Sequence, residues 1–266
     1  MDPQASYVQL AKRNDGKPSI RFLDPTTAYD LWSEVYDTDG NFLQALDTIE
    51  MRTLLPEMLS RISSSSPPWK IVDLGCGTGR NMTHLLDLPG SLVIGLDASP
   101  KMLEIARSRI DEHMAQIGRA SEAAQGAQLE PYNLLGSYCI PVCALNADAI
   151  ISTLVLEHVP LSIFFEKASE ILKPNGLALV TNMHSEMGAI SQAGFVDPKT
   201  GEKVQTQSFI HHLDDVLAEA QKQGFEVVGE IQEKAVDEDM SEVLGARARK
   251  WIGVTVWFGV CFRKKA

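Results

Sequence analysis

Apolar residues along this chain follow two different periods, and the change falls at a serine-proline tract. Before it, Thr26–Asp37 carries Tyr29, Trp32, Val35 and Tyr36 at three- and four-residue spacing, and Leu43–Ile62 repeats that period with Pro56 placed to bend or restart it. Both segments predict amphipathic helices. Ser63-Ser64-Ser65-Ser66-Pro67-Pro68 cannot continue a helix and reads as a linker. Beyond it, short apolar runs alternate with helical stretches. Ile71–Leu74, Leu92–Leu96, Ala149–Leu154 and Leu177–Thr181 read as strands buried on both faces, with Gln128–Glu130 a weaker strand between the second and third. Asn81–Leu88, Pro100–Ile117 and Leu161–Leu172 read as helices between them. Phe225–Ile231 and Thr255–Arg263 supply two last strands, separated by the acidic Glu233–Glu242 and a helical candidate, Val243–Lys250. This alternation predicts an α/β fold, a doubly wound sheet of seven strands, in residues 67–266, preceded by a helical extension over residues 1–66.

Charge narrows the partners. The formal net charge is -11, so a nucleic-acid ligand would need a local basic patch, and the two basic clusters, Arg247–Lys250 and Arg263-Lys264-Lys265, read as solvated surface. No nucleic-acid partner is expected. No apolar run reaches the roughly 20 residues that span a bilayer, and the N-terminus lacks a signal-peptide pattern, so the expected setting is cytoplasmic, with no membrane contact. Cys76, Cys139, Cys143 and Cys261 form no CxxC pair and lie at no zinc-ligand spacing, which makes free thiols the expectation and a metal site unexpected.

The chemistry concentrates where the first buried strand opens into a helix, Val72-Asp73-Leu74-Gly75-Cys76-Gly77-Thr78-Gly79-Arg80. Glycines at 75, 77 and 79 permit a tight turn and let a ligand approach the backbone. A structural turn is the bland alternative. The dinucleotide spacing G-x-G-x-x-G is absent, and a carboxylate at Asp73 suits an ammonium-bearing ligand better than a pyrophosphate. At the end of the second strand, Asp97 in Gly95-Leu96-Asp97-Ala98-Ser99 can accept hydrogen bonds from both hydroxyls of a ribose, while Ser99 before Pro100 is the better helix cap.

VDLGCGTGR, then GLDAS followed by Met102-Leu103, then DAIISTLVLEHV, then LKPNGLALVTNMH, resemble the successive motifs of class I S-adenosylmethionine-dependent methyltransferases, over residues 70–184. The resemblance implies a Rossmann-like seven-stranded sheet with an antiparallel last strand near Thr255–Arg263, and S-adenosylmethionine as cofactor. It places Asp73, Gly75 and Gly77, with Cys76 in the same loop, around the methionine moiety, Asp97 on the ribose, and Ala98 and Met102 on the adenine. Asn133 stands where the family usually has an acid that accepts from the adenine amino group; an amide oxygen can accept the same bond. The N-terminal YDLWSEVYD and the stretch after the fifth strand are similar to fungal secondary-metabolite methyltransferases, including the gliotoxin-pathway N-methyltransferase type. The implied activity is methylation of a small molecule, nitrogen favoured over oxygen or sulfur. A regulatory protein that keeps the cofactor fold is the alternative.

In this family the fourth strand ends beside the methyl group, which places Thr153, Leu154, Glu157 and His158 there. His158 is a candidate base or orienting group, or part of a structural turn. His184, after the fifth strand, is the preferred candidate if a general base operates. Tyr29 and Tyr36, with Trp32, make a lid over the sulfonium through cation–π attraction, or simple apolar contacts of an amphipathic helix. Asn182–Lys203 is long for a connection without function and is expected to form a second wall of the substrate pocket.

Overall fold

A computed structural model of the protein describes residues 20–62, 67–119 and 126–266. The serine tract 63–66, and with it the boundary between extension and α/β domain, lies outside the described residues. The first described elements are β1 (Ile20–Leu23), α1 (Pro25–Trp32) and the long α2 (Phe42–Ser60). It continues through β2 (Lys70–Leu74), α3 (Met82–Leu86), β3 (Leu92–Asp97), α4 (Pro100–Gln116) and β4 (Ala127–Pro131). Then follow β5 (Ala147–Thr153), α5 (Leu161–Ile171), β6 (Leu172–Met183), α6 (Ser185–Ile190), β7 (Gly194–Val196) and β8 (Lys203–Thr206). The last elements are α7 (Leu213–Lys222), β9 (Phe225–Val227), β10 (Gln232–Ala235), α8 (Glu238–Leu244) and β11 (Thr255–Lys264).

The main sheet has the order β10-β11-β6-β5-β2-β3-β4, with β9 also on β11. Strands β2 to β6 pair in parallel, and β11 runs antiparallel to β6. Alternate residues of each strand enter opposite cores, as the strand period requires. Val72, Leu74, Ile94, Ile150 and Val180 pack with Phe164, Phe165 and Val216 on one face. Ile71, Val93, Ile151 and Leu179 pack with Met51, Leu55, Met82 and Ile110 on the other.

Several boundaries differ from the sequence pattern for identifiable reasons. Helix α1 stops at Trp32 rather than Asp37, and α2 runs through Pro56 without interruption. Strand β10 occupies Gln232-Glu233-Lys234-Ala235, inside the acidic segment. It is an edge strand, where charged side chains face water and blunt unwanted pairing, so no apolar run marks it. Helix α8 starts earlier than expected because Asp237 accepts from the Met240 amide at 2.7 Å, and it ends at Gly245, whose φ is 89°.

A second sheet, β1-β8-β7, was not legible in the pattern. Strand β1 pairs in parallel with β8, which turns back antiparallel to β7. Its inner face brings Val204 and Phe195 against Ala28 and Trp32 of α1, and the Trp32 and Phe195 rings stack at 5.1 Å. The N-terminal helix and the segment after β6 therefore form one cap.

Helix α2 is tied to the main sheet by Asp47, which has no exposed surface. Its carboxylate accepts from Arg80 Nη2 at 2.6 Å, Thr181 Oγ1 at 2.5 Å and Trp257 Nε1 at 3.0 Å. Removing one partner of a buried ion pair leaves the other uncompensated, at a cost of about 3–5 kcal/mol. Asp47→Ala is expected to lower unfolding free energy by roughly that amount in urea titrations; a loss within error of zero would show that the network does not hold α2.

Candidate active site

Between β2 and β5 the chain changes direction across the sheet, running first to β3 and β4 and then back to β5 on the other side. Loops part at such a switch point and leave a crevice at the carboxyl ends of the strands. A cleft of about 270 Å3 occupies it. Its floor is Leu74, Gly75 and Gly77 after β2; its walls are Asp97, Ala98 and Ser99 after β3, Tyr132–Leu135 after β4 and Thr153–Val155 after β5. Asp24, Tyr29 and Tyr36 close it from the cap, beside His158.

The glycine loop is built by two requirements. At Gly75 (φ 80°) a Cβ would lie 2.3 Å from the Val155 side chain, so the loop can approach β5 only without one. At Gly77 (φ 53°) a Cβ would meet nothing within 4 Å, which leaves bare backbone facing the open cleft. Asp97 holds this loop: Oδ2 accepts from the Gly77 amide and Oδ1 from the Ser99 amide, each at 2.8 Å. Burial raises the Asp97 pKa, against the lowering effect of those amides. The same Ser99 caps α4, accepting from the Met102 amide at 3.1 Å, and its hydroxyl donates to Asp30 of α1 at 2.5 Å.

Asp73 lies under the loop, 1% exposed, and neither carboxylate oxygen has a hydrogen-bond partner among the described residues. Burial pushes its pKa up to about 7, with Arg80 opposing and Asp97 and Asp47 adding to the rise. Leu154, at the end of β5, holds φ at 58°, a conformation costly for a residue with a side chain. Its amide donates to Thr181 O at 2.9 Å, which fixes the strained turn.

Of the residues singled out in the sequence, Tyr29, Tyr36, Gly75, Gly77, Asp97, Ala98, Asn133, Leu154 and His158 meet at this cleft. Asp73, Cys76 and Met102 are buried and do not line it. The Cys76 thiol is pushed well up by burial. Asn133 Oδ1 accepts from the Leu135 amide at 2.9 Å, which leaves one lone pair of that oxygen free. His184 is not part of the cleft wall. Its Nδ1 accepts from the Glu186 amide at 3.2 Å as the cap of α6, and its Nε2 lies 3.0 Å from Glu233. Both ring nitrogens are thus committed to structure, and the structure offers no support for His184 as a base. The segment after β6 contributes through β8 instead: Thr206 Oγ1 lies 3.4 Å from His158 Nδ1.

Sequence reasoning missed Asp24 and Tyr132 on the wall and His211 beneath it. Asp24 was findable, since an Asp before Pro25 is a helix-start signal; its side chain accepts from the Thr27 amide at 3.0 Å. His211 Nε2 lies 3.0 Å from both Leu156 O and Val159 O, bracketing the turn that carries His158. Burial lowers its pKa and keeps it neutral. The four cysteines are free, with Cys139 exposed rather than buried. Among the described residues no group of three or more His, Cys, Asp or Glu is placed to hold a metal ion, and no helix is long and apolar enough to cross a membrane.

Residues 72–178 match the family model of a methyltransferase domain. An uncharacterized methyltransferase of Emericella nidulans is 44% identical to this chain, over 91% of it and 91% of the relative. A ubiquinone biosynthesis O-methyltransferase of Chelativorans sp. is 32% identical over 47% of this chain and 44% of that protein. The structure of the magnesium protoporphyrin IX methyltransferase of Synechocystis PCC 6803 superimposes with a TM-score of 0.58 at 16% identity, covering 90% of this chain and 95% of that one. The [4+2]-cyclase SpnF gives 0.59 at 16% identity, covering 91% and 96%. The chain belongs to the methyltransferase family, and its main sheet is the Rossmann-like sheet of the class I members.

Asp73 gives this site a pH signature. Its folded pKa of about 7 stands above its ordinary value of 3.8, so the folded state binds the extra proton between those values. The corresponding stability is fully present below pH 3.8 and is lost as pH rises to about 7. Asp73→Asn, which stays neutral, is expected to stabilise the ligand-free protein above pH 7 by about 1–3 kcal/mol and to flatten that slope, measured by urea unfolding across the pH range. Equal stabilisation at pH 4 and pH 8 would contradict a buried, titrating carboxyl.

Proposed function

We propose that this protein transfers the methyl group of S-adenosylmethionine to a small organic acceptor. The observation that carries the reading is the pair of acids around the glycine loop: Asp73 buried without a partner, and Asp97 oriented by two amides beside open backbone. A buried carboxylate with no donor is costly unless a ligand supplies one, and the ammonium of the methionine moiety is such a donor. Each Asp97 oxygen accepts one amide and retains a lone pair for a ribose hydroxyl. Gly75 and Gly77 keep side chains out of the space between them. The residues present fit the cofactor.

Bound there, S-adenosylmethionine would supply an electrophilic methyl carbon on a sulfonium. Ala98 and Asn133 would flank the adenine, the latter with its remaining lone pair. Leu154, on its strained turn, would shape the wall beside the reacting carbon, and Tyr36 and Tyr29 would exclude water and present aromatic faces to positive charge. Among the described residues, the acidic side chains on the wall are Asp24 and Asp97, and no Lys or Arg lines it. A negative lining repels carboxylate and phosphate acceptors and favours neutral or amine acceptors, which supports nitrogen as the methylated atom. The cap encloses a molecule-sized space, which supports a small acceptor over a polymer.

Calorimetry with S-adenosylhomocysteine tests this reading without a known acceptor. Wild-type protein is expected to bind, and Asp97→Ala to bind at least about tenfold more weakly, since one hydrogen bond to a charged group is worth roughly 1.5–3 kcal/mol. An ammonium beside Asp73 lowers its pKa, so binding near pH 6 should release protons and give a heat that depends on the buffer. Wild-type protein that gives no binding heat would falsify the proposal.

A further inference from the structure

The cap and the turn after β5 meet at one hydrogen bond, between the Tyr29 hydroxyl and His158 Nε2 at 2.9 Å. We propose that Tyr29 and His158 form a proton relay for the acceptor: the Tyr29 oxygen takes the acceptor's proton while its own proton passes to His158 Nε2, and Glu157 is the positioning residue that stabilises the resulting imidazolium. This inference rests on the methyl-transfer reading for where the acceptor sits, since Tyr29 and His158 line the same cleft as the cofactor residues.

The groups around the two rings support Tyr29 as the donor. Burial, with Tyr36, Glu157 and Asp97 nearby adding to it, pushes the Tyr29 hydroxyl well above its ordinary pKa, so it keeps a proton to donate. In the relay His158 Nε2 is the acceptor and the ring carries its proton on Nδ1. That nitrogen faces two acceptors of β8 and the residue after it, Thr206 Oγ1 at 3.4 Å and Gln207 O at 3.5 Å. The groups around His158 are therefore Tyr29 from α1, Glu157 from its own turn and Thr206 and Gln207 from the cap sheet; Glu157 alone carries a formal charge. Glu157 is 4% exposed, its Oε1 lies 3.4 Å from Nε2, and its Oε2 has no partner among the described residues. A buried carboxylate so placed attracts a proton arriving on the imidazole.

The turn is held for this task. Asn182 Oδ1 accepts from the Glu157 amide at 3.3 Å, the Phe209 amide donates to Glu157 O at 2.7 Å, and His211 lies within hydrogen-bond reach of the carbonyls on either side of Glu157 and His158. The step balances. The acceptor's N–H or O–H bond breaks and its electron pair stays on the nitrogen or oxygen that attacks the methyl carbon. The Tyr29 O–H breaks as a new one forms, and the imidazole gains one proton. The acceptor class is a protic group, an ammonium or a hydroxyl, on a molecule without its own negative charge.

Nitrogen NMR of the full-length, ligand-free protein with labelled histidine tests the relay without an acceptor. The relay requires a protonated Nδ1 and a bare Nε2 on His158. Tyr29→Phe should shift the Nε2 resonance to that of a nitrogen without a donor, and Glu157→Gln should lower the His158 titration midpoint by at least one pH unit, a tenfold change in proton affinity, whereas Glu157→Asp should largely restore it. A protonated Nε2 in wild-type protein, an Nε2 resonance blind to Tyr29→Phe, or a midpoint unmoved by Glu157→Gln overturns the relay. The two readings fail separately: S-adenosylhomocysteine binding with the wrong tautomer removes only the relay, and the expected tautomer without binding removes the cofactor reading.

Discussion

A carboxylate that has no exposed surface must be paired, and Asp47 meets that demand with donors from three separate parts of the chain. Trp257 and Thr181 belong to adjacent strands of the sheet, and Arg80 leaves the glycine loop. Satisfying all three at once leaves α2 one place to sit. That seat sets where the turn between α1 and α2 passes, and Asp37 in that turn accepts from Thr78 Oγ1 at 3.0 Å and from Arg109 Nη2 at 2.7 Å. The cap is thereby registered against the glycine loop by side chains on both its flanks, and Asp30 repeats the connection at the start of α4. A site assembled from a loop, a lid and strand ends owes its geometry to this one buried charge.

The cleft itself is under electrostatic and backbone tension. Asp73 and Asp97 both have raised pKa values from burial, and Asp73 has no hydrogen-bond donor among the described residues. Leu154 keeps a positive φ beside them. Such features persist where function selects them against stability. In the proposed reading they share a purpose: a cationic ligand would relieve the first, and the second would keep the end of β5 aimed at it.

Much of this fold was legible because its signals are local. Buried parallel strands declare themselves as continuous apolar runs, and Ser99-Pro100 announces a helix start by side-chain chemistry. The glycine loop and Asp97 were legible for the same reason, since a turn without Cβ atoms and an acid at a strand end are written in adjacent residues. What the sequence hid was pairing at a distance. Strand β10 is polar because it is an edge, and β1, β7 and β8 are too short to show alternation. His184 was preferred over His158 as the base, although both follow strands of the same sheet. Only the packing separates them, with one ring locked to Glu233 and the Glu186 amide and the other facing the cleft through Tyr29.

The parallel pairing of Ile20–Leu23 with Lys203–Thr206 joins segments from opposite ends of the molecule. Neither strand has the other beside it until the chain between them has folded back. Contacts so remote in sequence close a large loop and form late, after the locally connected strands have already assembled. The roof over the cleft therefore rests on closing a loop that spans most of the chain, a larger entropic cost than any neighbouring strand pair of the floor incurs.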